Sequence, residues 1–111
     1  MSKQKLALNP TTPKCILSYL SRSEDWGVRW HVARNPNTPP ETLAFLSQDE
    51  DPMIRRGVAE NGATPYDILT VLSQDREAGV RWRVAENLST PTSTLETLTR
   101  DVEYQVRYRV S

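Results

Sequence analysis

Asparagine recurs at positions 9, 35, 61 and 87 of this chain, an unbroken interval of 26 residues. Aligned at that interval, four copies share a Thr-Pro pair (12–13, 38–39, 64–65, 90–91) and two leucines (17/20, 43/46, 69/72, 95/98). They also share an arginine (29, 55, 81, 107) and a valine (32, 58, 84, 110), and the residue before the arginine is Val28, Ile54, Val80 or Val106. The eight leading residues add a half copy, with Lys3, Leu6 and Ala7 in the Arg, Val and Ala columns. A unit this small cannot bury its own apolar face, so neighbouring copies must complete one another's core. The expected organisation is one domain over 1–111: a half repeat at 1–8, then repeats at 9–34, 35–60, 61–86 and 87–111.

Each copy reads as two short helices, so the expected class is all-α. In the first helix Thr is expected as N-cap with Pro at the first helical position. Thr38 with Glu41, and Thr64 with Asp67, have the spacing of a capping box. Leucines three apart put a narrow apolar stripe on this helix, which is too short to stand alone in water and is expected to be partly 3₁₀. A linker of the form Ser-x-Asp follows, and Asp51-Pro52 opens the second helix of copy two by cap-plus-proline logic. Ile54, Val58 and Ala59 then share one face. The repeat asparagine is expected to end this helix in a left-handed cap, with Pro10 or Pro36 preventing continuation. Copy four looks like a polar end, with Thr92, Ser93, Thr94 and Thr97 replacing bulkier residues.

Read this way, the columns resemble the leucine-rich repeat variant family. The pattern is N-P-x-T-P-x-x-x-L-x-x-L-x-x-D followed by V-R-x-x-V-A, and Asn35-Pro36-Asn37-Thr38-Pro39-Pro40-Glu41 with Val58-Ala59 matches it most fully. The resemblance spans residues 3–111 and implies a right-handed superhelical solenoid of two helix layers, one α and one partly 3₁₀, without strands. One member of that family carries an N-terminal iron–sulfur cluster. This chain has a single cysteine, Cys15, at an ordinary repeat position, so no cluster is carried over. The spacing of Asp49/Arg55, Asp75/Arg81 and Asp101/Arg107 also resembles HEAT repeats, in which an acid and a base six apart build a ladder between repeats. Copy one departs, with Ser23 opposite Arg29.

On a helical wheel turning about 100° per residue, Arg29, Arg55, Arg81 and Arg107 point between buried positions. A guanidinium there needs acceptors, and the aspartate six residues earlier, together with helix-end carbonyls, is expected to supply them. These residues are read as a structural Asp–Arg ladder, with a phosphate-tracking stripe as the alternative. The next column holds Trp30, Arg56, Trp82 and Tyr108, with Trp26 and Tyr104 one turn earlier and His31, Arg83 and Arg109 in the column after. Trp, Tyr and Arg dominate binding hot spots, so Trp26, Trp30, Arg56, Trp82, Arg83, Tyr104, Tyr108 and Arg109 form the candidate partner-binding face. Ordinary packing between repeats is the competing account of the rings.

Catalysis finds little to work with. His31 is the single histidine, no Ser/His/Asp or Cys/His set is available, and the four glycines form no phosphate loop. The acidic linkers lack the dense oxygen cage of a Ca²⁺ site and are read as helix caps. Cys15 has no catalytic apparatus beside it and excludes an internal disulfide. No metal, cofactor, catalytic residue or small-molecule substrate is expected. Fourteen basic and fourteen acidic residues cancel, unlike the basic excess typical of a dedicated nucleic-acid domain. No apolar run approaches the roughly 18 residues of a membrane span, and no apolar stretch follows the N-terminus as in a secretory signal. The expected protein is a cytoplasmic, non-enzymatic module for protein–protein interaction. A solenoid laying a basic, aromatic stripe along nucleic acid is the alternative, and a structural spacer is the third reading.

Overall fold

The structure, a computed structural model, describes residues 2–110. It contains α1 (Lys3–Leu8), α2 (Lys14–Leu20), α3 (Trp26–Arg34), α4 (Pro40–Leu46), α5 (Pro52–Glu60), α6 (Tyr66–Leu72), α7 (Ala78–Glu86), α8 (Thr92–Leu98) and α9 (Tyr104–Val110). No strand occurs among the described residues. The odd-numbered helices pack side by side in chain order. Each of α2, α4, α6 and α8 lies against the two odd-numbered helices that flank it. The result is elongated, 44 × 21 × 18 Å. No described helix is long and apolar enough to cross a membrane.

The core is the set of apolar columns. Leu17, Leu43, Leu46, Leu69, Val28, Val32, Ile54, Val58, Val80, Val84, Leu98 and Val106 are fully buried between the layers. Each such side chain contributes about 1.5–3 kcal/mol relative to exposure, which helices of this length need because none is stable alone. Thr94 is buried as well, its hydroxyl 3.0 Å from that of Thr70.

Three local expectations are corrected. The even-numbered helices are α-helical, and i→i−3 bonds appear only at their ends, as in Ile16 N–H to Pro13 and Gln48 N–H to Phe45. The repeat threonines are not N-caps. The cap positions belong to Pro13, Pro39, Pro65 and Pro91, with no side-chain cap bond. Neither Thr38 with Glu41 nor Thr64 with Asp67 forms a capping box. Instead Thr12, Thr38, Thr64 and Thr90 donate their hydroxyls back to Leu6, Val32, Val58 and Val84 O, at 2.5 to 2.7 Å. At Val32, Val58 and Val84 that bond is a second one, since these helix-end carbonyls also accept from Asn35, Asn61 and Asn87 N–H at 3.1 Å.

The asparagines do occupy the C-caps, but in extended rather than left-handed conformation, with φ from −72° to −76°. Their side chains reach across repeats. Asn61 Nδ2 donates to Ala33 O and Asn35 O, both at 2.9 Å, and its Oδ1 accepts from Ala63 N–H at 2.9 Å. Asn35 and Asn87 repeat the arrangement one copy earlier and one copy later. Buried and fully bonded, these amides form a ladder along the stack.

Candidate functional site

The second polar ladder runs through the arginine column. Arg55 Nε donates to Asp75 Oδ2 at 2.8 Å and Nη2 to Oδ1 at 3.2 Å, a bidentate pair with side chains only 6% and 9% exposed. Arg81 grips Asp101 the same way, at 2.7 and 3.2 Å, and Arg29 bonds Asp49 at 3.1 Å. The expected carboxylate, six residues earlier, is therefore not the partner. The partner lies twenty residues later, in the next copy. The residue six earlier contributes its backbone carbonyl: Arg29, Arg55, Arg81 and Arg107 Nη1 donate to Ser23, Asp49, Asp75 and Asp101 O. Because only a carbonyl is needed there, Ser23 serves Arg29 as well as an aspartate would.

Each ladder aspartate also bends its linker, accepting at 2.9 Å from the N–H of Asp51, Glu77 or Glu103. Burial of Asp101 would raise its pKa. Hydrogen bonds from Arg81 and the Glu103 N–H, with the charges of Arg81 and Arg107, outweigh that and hold it below the ordinary value of 3.8. Asp25 and Asp51 cap α3 and α5 through Gly27 and Met53 N–H, whereas Glu77 makes no side-chain cap bond to α7.

The candidate partner-binding residues divide into two groups. Trp30 and Trp82 are half-buried and pack against the core. Gly57 lets α5 approach α3 closely beside the first of them, the tight contact being with Ala33. A Cβ at Gly57 would stand 3.0 Å from Ala33 Cβ, 3.3 Å from Arg34 Cγ and 3.5 Å from Trp30 Cδ1. Arg34 lies over the Trp30 ring at 4.6 Å, and the His31 ring is 5.0 Å away. Trp82 takes Arg109 at 4.3 Å and Arg83 at 5.4 Å, and its indole N–H is buried without a partner. Arg56 is half-buried too, its side chain lying across Gly79 with Nη1 3.5 Å from Met53 Sδ. The second group is open: Trp26, Tyr104 and Tyr108 are 53%, 66% and 63% exposed. Trp26 stands on α3 and the tyrosine pair on α9, with ring centroids 6.0 Å apart and α5 and α7 between the two helices.

Two residues of this face that pattern reading missed are Glu60 and Glu86. Glu60 accepts from Arg34 Nε at 3.1 Å, and its other oxygen is 3.3 Å from Arg83 Nε, close enough to pair though not aligned as a hydrogen bond. Glu86 pairs with Arg83 at 3.4 Å and with Arg109 at 3.2 Å. The signal was available, since Arg34, Glu60 and Glu86 share one column. The outer face is thus a chain of alternating charges, Arg34–Glu60–Arg83–Glu86–Arg109, laid over two tryptophans. Among the described residues no three His, Cys, Asp or Glu side chains are gathered to hold a metal ion, and Cys15 is exposed.

Among known families, a model described as Leucine Rich Repeat Variant domain matches residues 1–62. No curated protein matches, and no solved structure matches.

Proposed function

This chain belongs to the leucine-rich repeat variant family, whose model spans more than half of it, and from that premise we propose a non-catalytic scaffold that binds another protein through the outer face of its odd-numbered helices. The array would be a right-handed superhelical solenoid of four 26-residue repeats after a half repeat, working in the cytoplasm without cofactor, metal or small-molecule substrate. Contact would centre on Trp26, Tyr104 and Tyr108. Trp30, Arg56, Trp82, Arg83 and Arg109 would form the stiff, half-buried floor between them.

One observation carries this reading over the nucleic-acid alternative. Arg34, Arg83 and Arg109 on the outer face are already paired with Glu60 and Glu86, and Arg29, Arg55 and Arg81 with the ladder aspartates, while large rings remain open to solvent. Phosphate binding draws on free positive charge, whereas protein hot spots draw on rings that can be desolvated.

The test is affinity capture from native lysate, with and without nuclease, at low and moderate salt. The wild-type chain is compared with a Trp26→Ala, Tyr104→Ala, Tyr108→Ala variant. All three rings are exposed, so the variant should keep its helicity and melting behaviour. Protein partners that survive nuclease and salt but are lost with the variant support the scaffold. Capture that collapses with nuclease or steeply with salt replaces it with nucleic-acid binding.

A further inference from the structure

The layer of even-numbered helices has an exposed feature of its own. Tyr19, Phe45 and Val71 occupy one column, near the C-terminal ends of α2, α4 and α6, and are 70%, 44% and 69% exposed. Each borders a groove walled by its own linker. The first, about 730 Å³, is lined by Tyr19, Leu20, Arg22, Glu24 and Asp25 among others. The second, about 650 Å³, has Phe45, Gln48, Glu50 and Asp51, and the third, about 420 Å³, has Val71, Leu72, Gln74 and Arg76. The same wall recurs in three consecutive copies.

The rim is acidic. Asp49 and Asp75 are taken by the arginine ladder, but Glu24, Asp25, Glu50, Asp51 and Glu77 make no ion pair among the described residues. Against these five carboxylates stand Arg22 and Arg76 on the same linkers and Lys3 in the first groove, so the edge is acidic on balance. Arg22 lies over the Phe45 ring at 4.5 Å, so one ring of the row already holds a cation on its face.

We propose that this edge is a docking track for a basic amphipathic helix. Charge complementarity fixes the sign of the partner. The repeat sets the spacing of the apolar row: the odd-numbered helices pack side by side, about 8–10 Å apart for packed helices, the even-numbered ones follow once per copy, and side chains seven residues apart on a helix are about 10.5 Å apart on nearly the same face. An occupant with apolar residues at i, i+7 and i+14, flanked by Lys or Arg, meets Tyr19, Phe45 and Val71 in turn. A helix suits the track better than an extended segment. The described chain has no strand edge to pair with an extended backbone, and a helix satisfies its own N–H and C=O groups.

The test uses a labelled peptide of about 18 residues with leucines at i, i+7 and i+14 and Lys or Arg beside them, titrated with the full chain by fluorescence anisotropy. Saturable binding is expected, weakened at least about tenfold, near 1.4 kcal/mol, by Glu24→Lys, Glu50→Lys and Glu77→Lys together. Tyr19→Ser, Phe45→Ser and Val71→Ser together should weaken it as much, with the helical circular dichroism signal retained. The variant lacking Trp26, Tyr104 and Tyr108 should bind the peptide normally, which separates this track from the partner-binding rings of the odd-numbered helices. Absence of saturable binding overturns the proposal. So does equal binding of a scrambled peptide of the same composition, or unchanged affinity in the charge-reversed chain.

Discussion

Arg55 and Arg56 are adjacent in sequence and lead opposite lives. Arg55 is buried at 5% exposure, with both faces of its guanidinium edge bonded, to Asp75 on one side and to the Asp49 and Glu50 carbonyls on the other. Arg56, about 100° further round α5, lies across Gly79 with its Nε buried and unbonded. The ladder side of the odd-numbered helices is a closed polar network spanning copies. The outer side is a looser mesh of rings, arginines and two glutamates. A buried charge tolerates no missing partner, whereas a half-exposed one is screened by water and is worth little.

The largest effect that sharpens this contrast is expected from Arg55→Ala. It strands the Asp75 carboxylate and should cost about 3–5 kcal/mol in urea-induced unfolding, while Arg56→Ala should stay within about 1 kcal/mol of wild type. Comparable losses from the two variants would erase the distinction between the faces.

The asparagine ladder permits a similar pairing. Asn61→Ala takes the inter-repeat donor from the buried Ala33 carbonyl, leaves Asn35 O with Thr38 N–H alone, and should cost about 2–3 kcal/mol. Asn9 is exposed and its side chain bonds only to Thr11, so Asn9→Ala should change the urea midpoint very little. A large loss at Asn9 would show that the ladder logic is wrong.

Within the outer face, Trp82→Ala removes a ring packed on the core and should cost about 2 kcal/mol, against less than about 0.5 kcal/mol for Tyr104→Ala. Thermal melts of the two variants distinguish floor from rim, and equal melts would merge them into one surface.

The smallest expected effect is in acid. The folded-state pKa of Asp101 is lowered, so its contribution is full above the unfolded carboxylate value, near about 4, and is lost as pH falls through the lowered folded value. The stability gap between wild type and Asp101→Asn should therefore be widest at neutral pH and close progressively below pH about 4. A gap independent of pH would mean that the aspartate acts here through shape rather than charge.

Much of this was legible in the chain. The apolar columns, the two helices per copy and the Asp51-Pro52 start all follow from local periodicity and capping chemistry, which act over a few residues. The candidate face was legible only in outline. Its rings and arginines could be placed on one side of a wheel, but a wheel carries no neighbours. It therefore could not show Glu60 bridging Arg34 and Arg83, nor Gly57 in close approach to Ala33 beside the Trp30 ring. The threonines were misplaced for a related reason. A hydroxyl beside a helix start has two possible uses, and the choice depends on where the preceding helix leaves its last carbonyls.

The ladders mark the boundary most sharply. Asp49 is six residues before Arg55 and twenty after Arg29, and the same holds for every rung. A strictly periodic sequence contains both spacings at once, so the columns by themselves determine that an acid and a base face the same seam, and nothing more. Which aspartate lends its carboxylate and which only its carbonyl is decided by how one helix pair stacks on the next. The same stacking turns the asparagines from local caps into bridges to the copy before. Periodicity specifies the unit, and the packing between units chooses the partners, because each partner's side chain comes within bonding distance only when the neighbouring copy is in place.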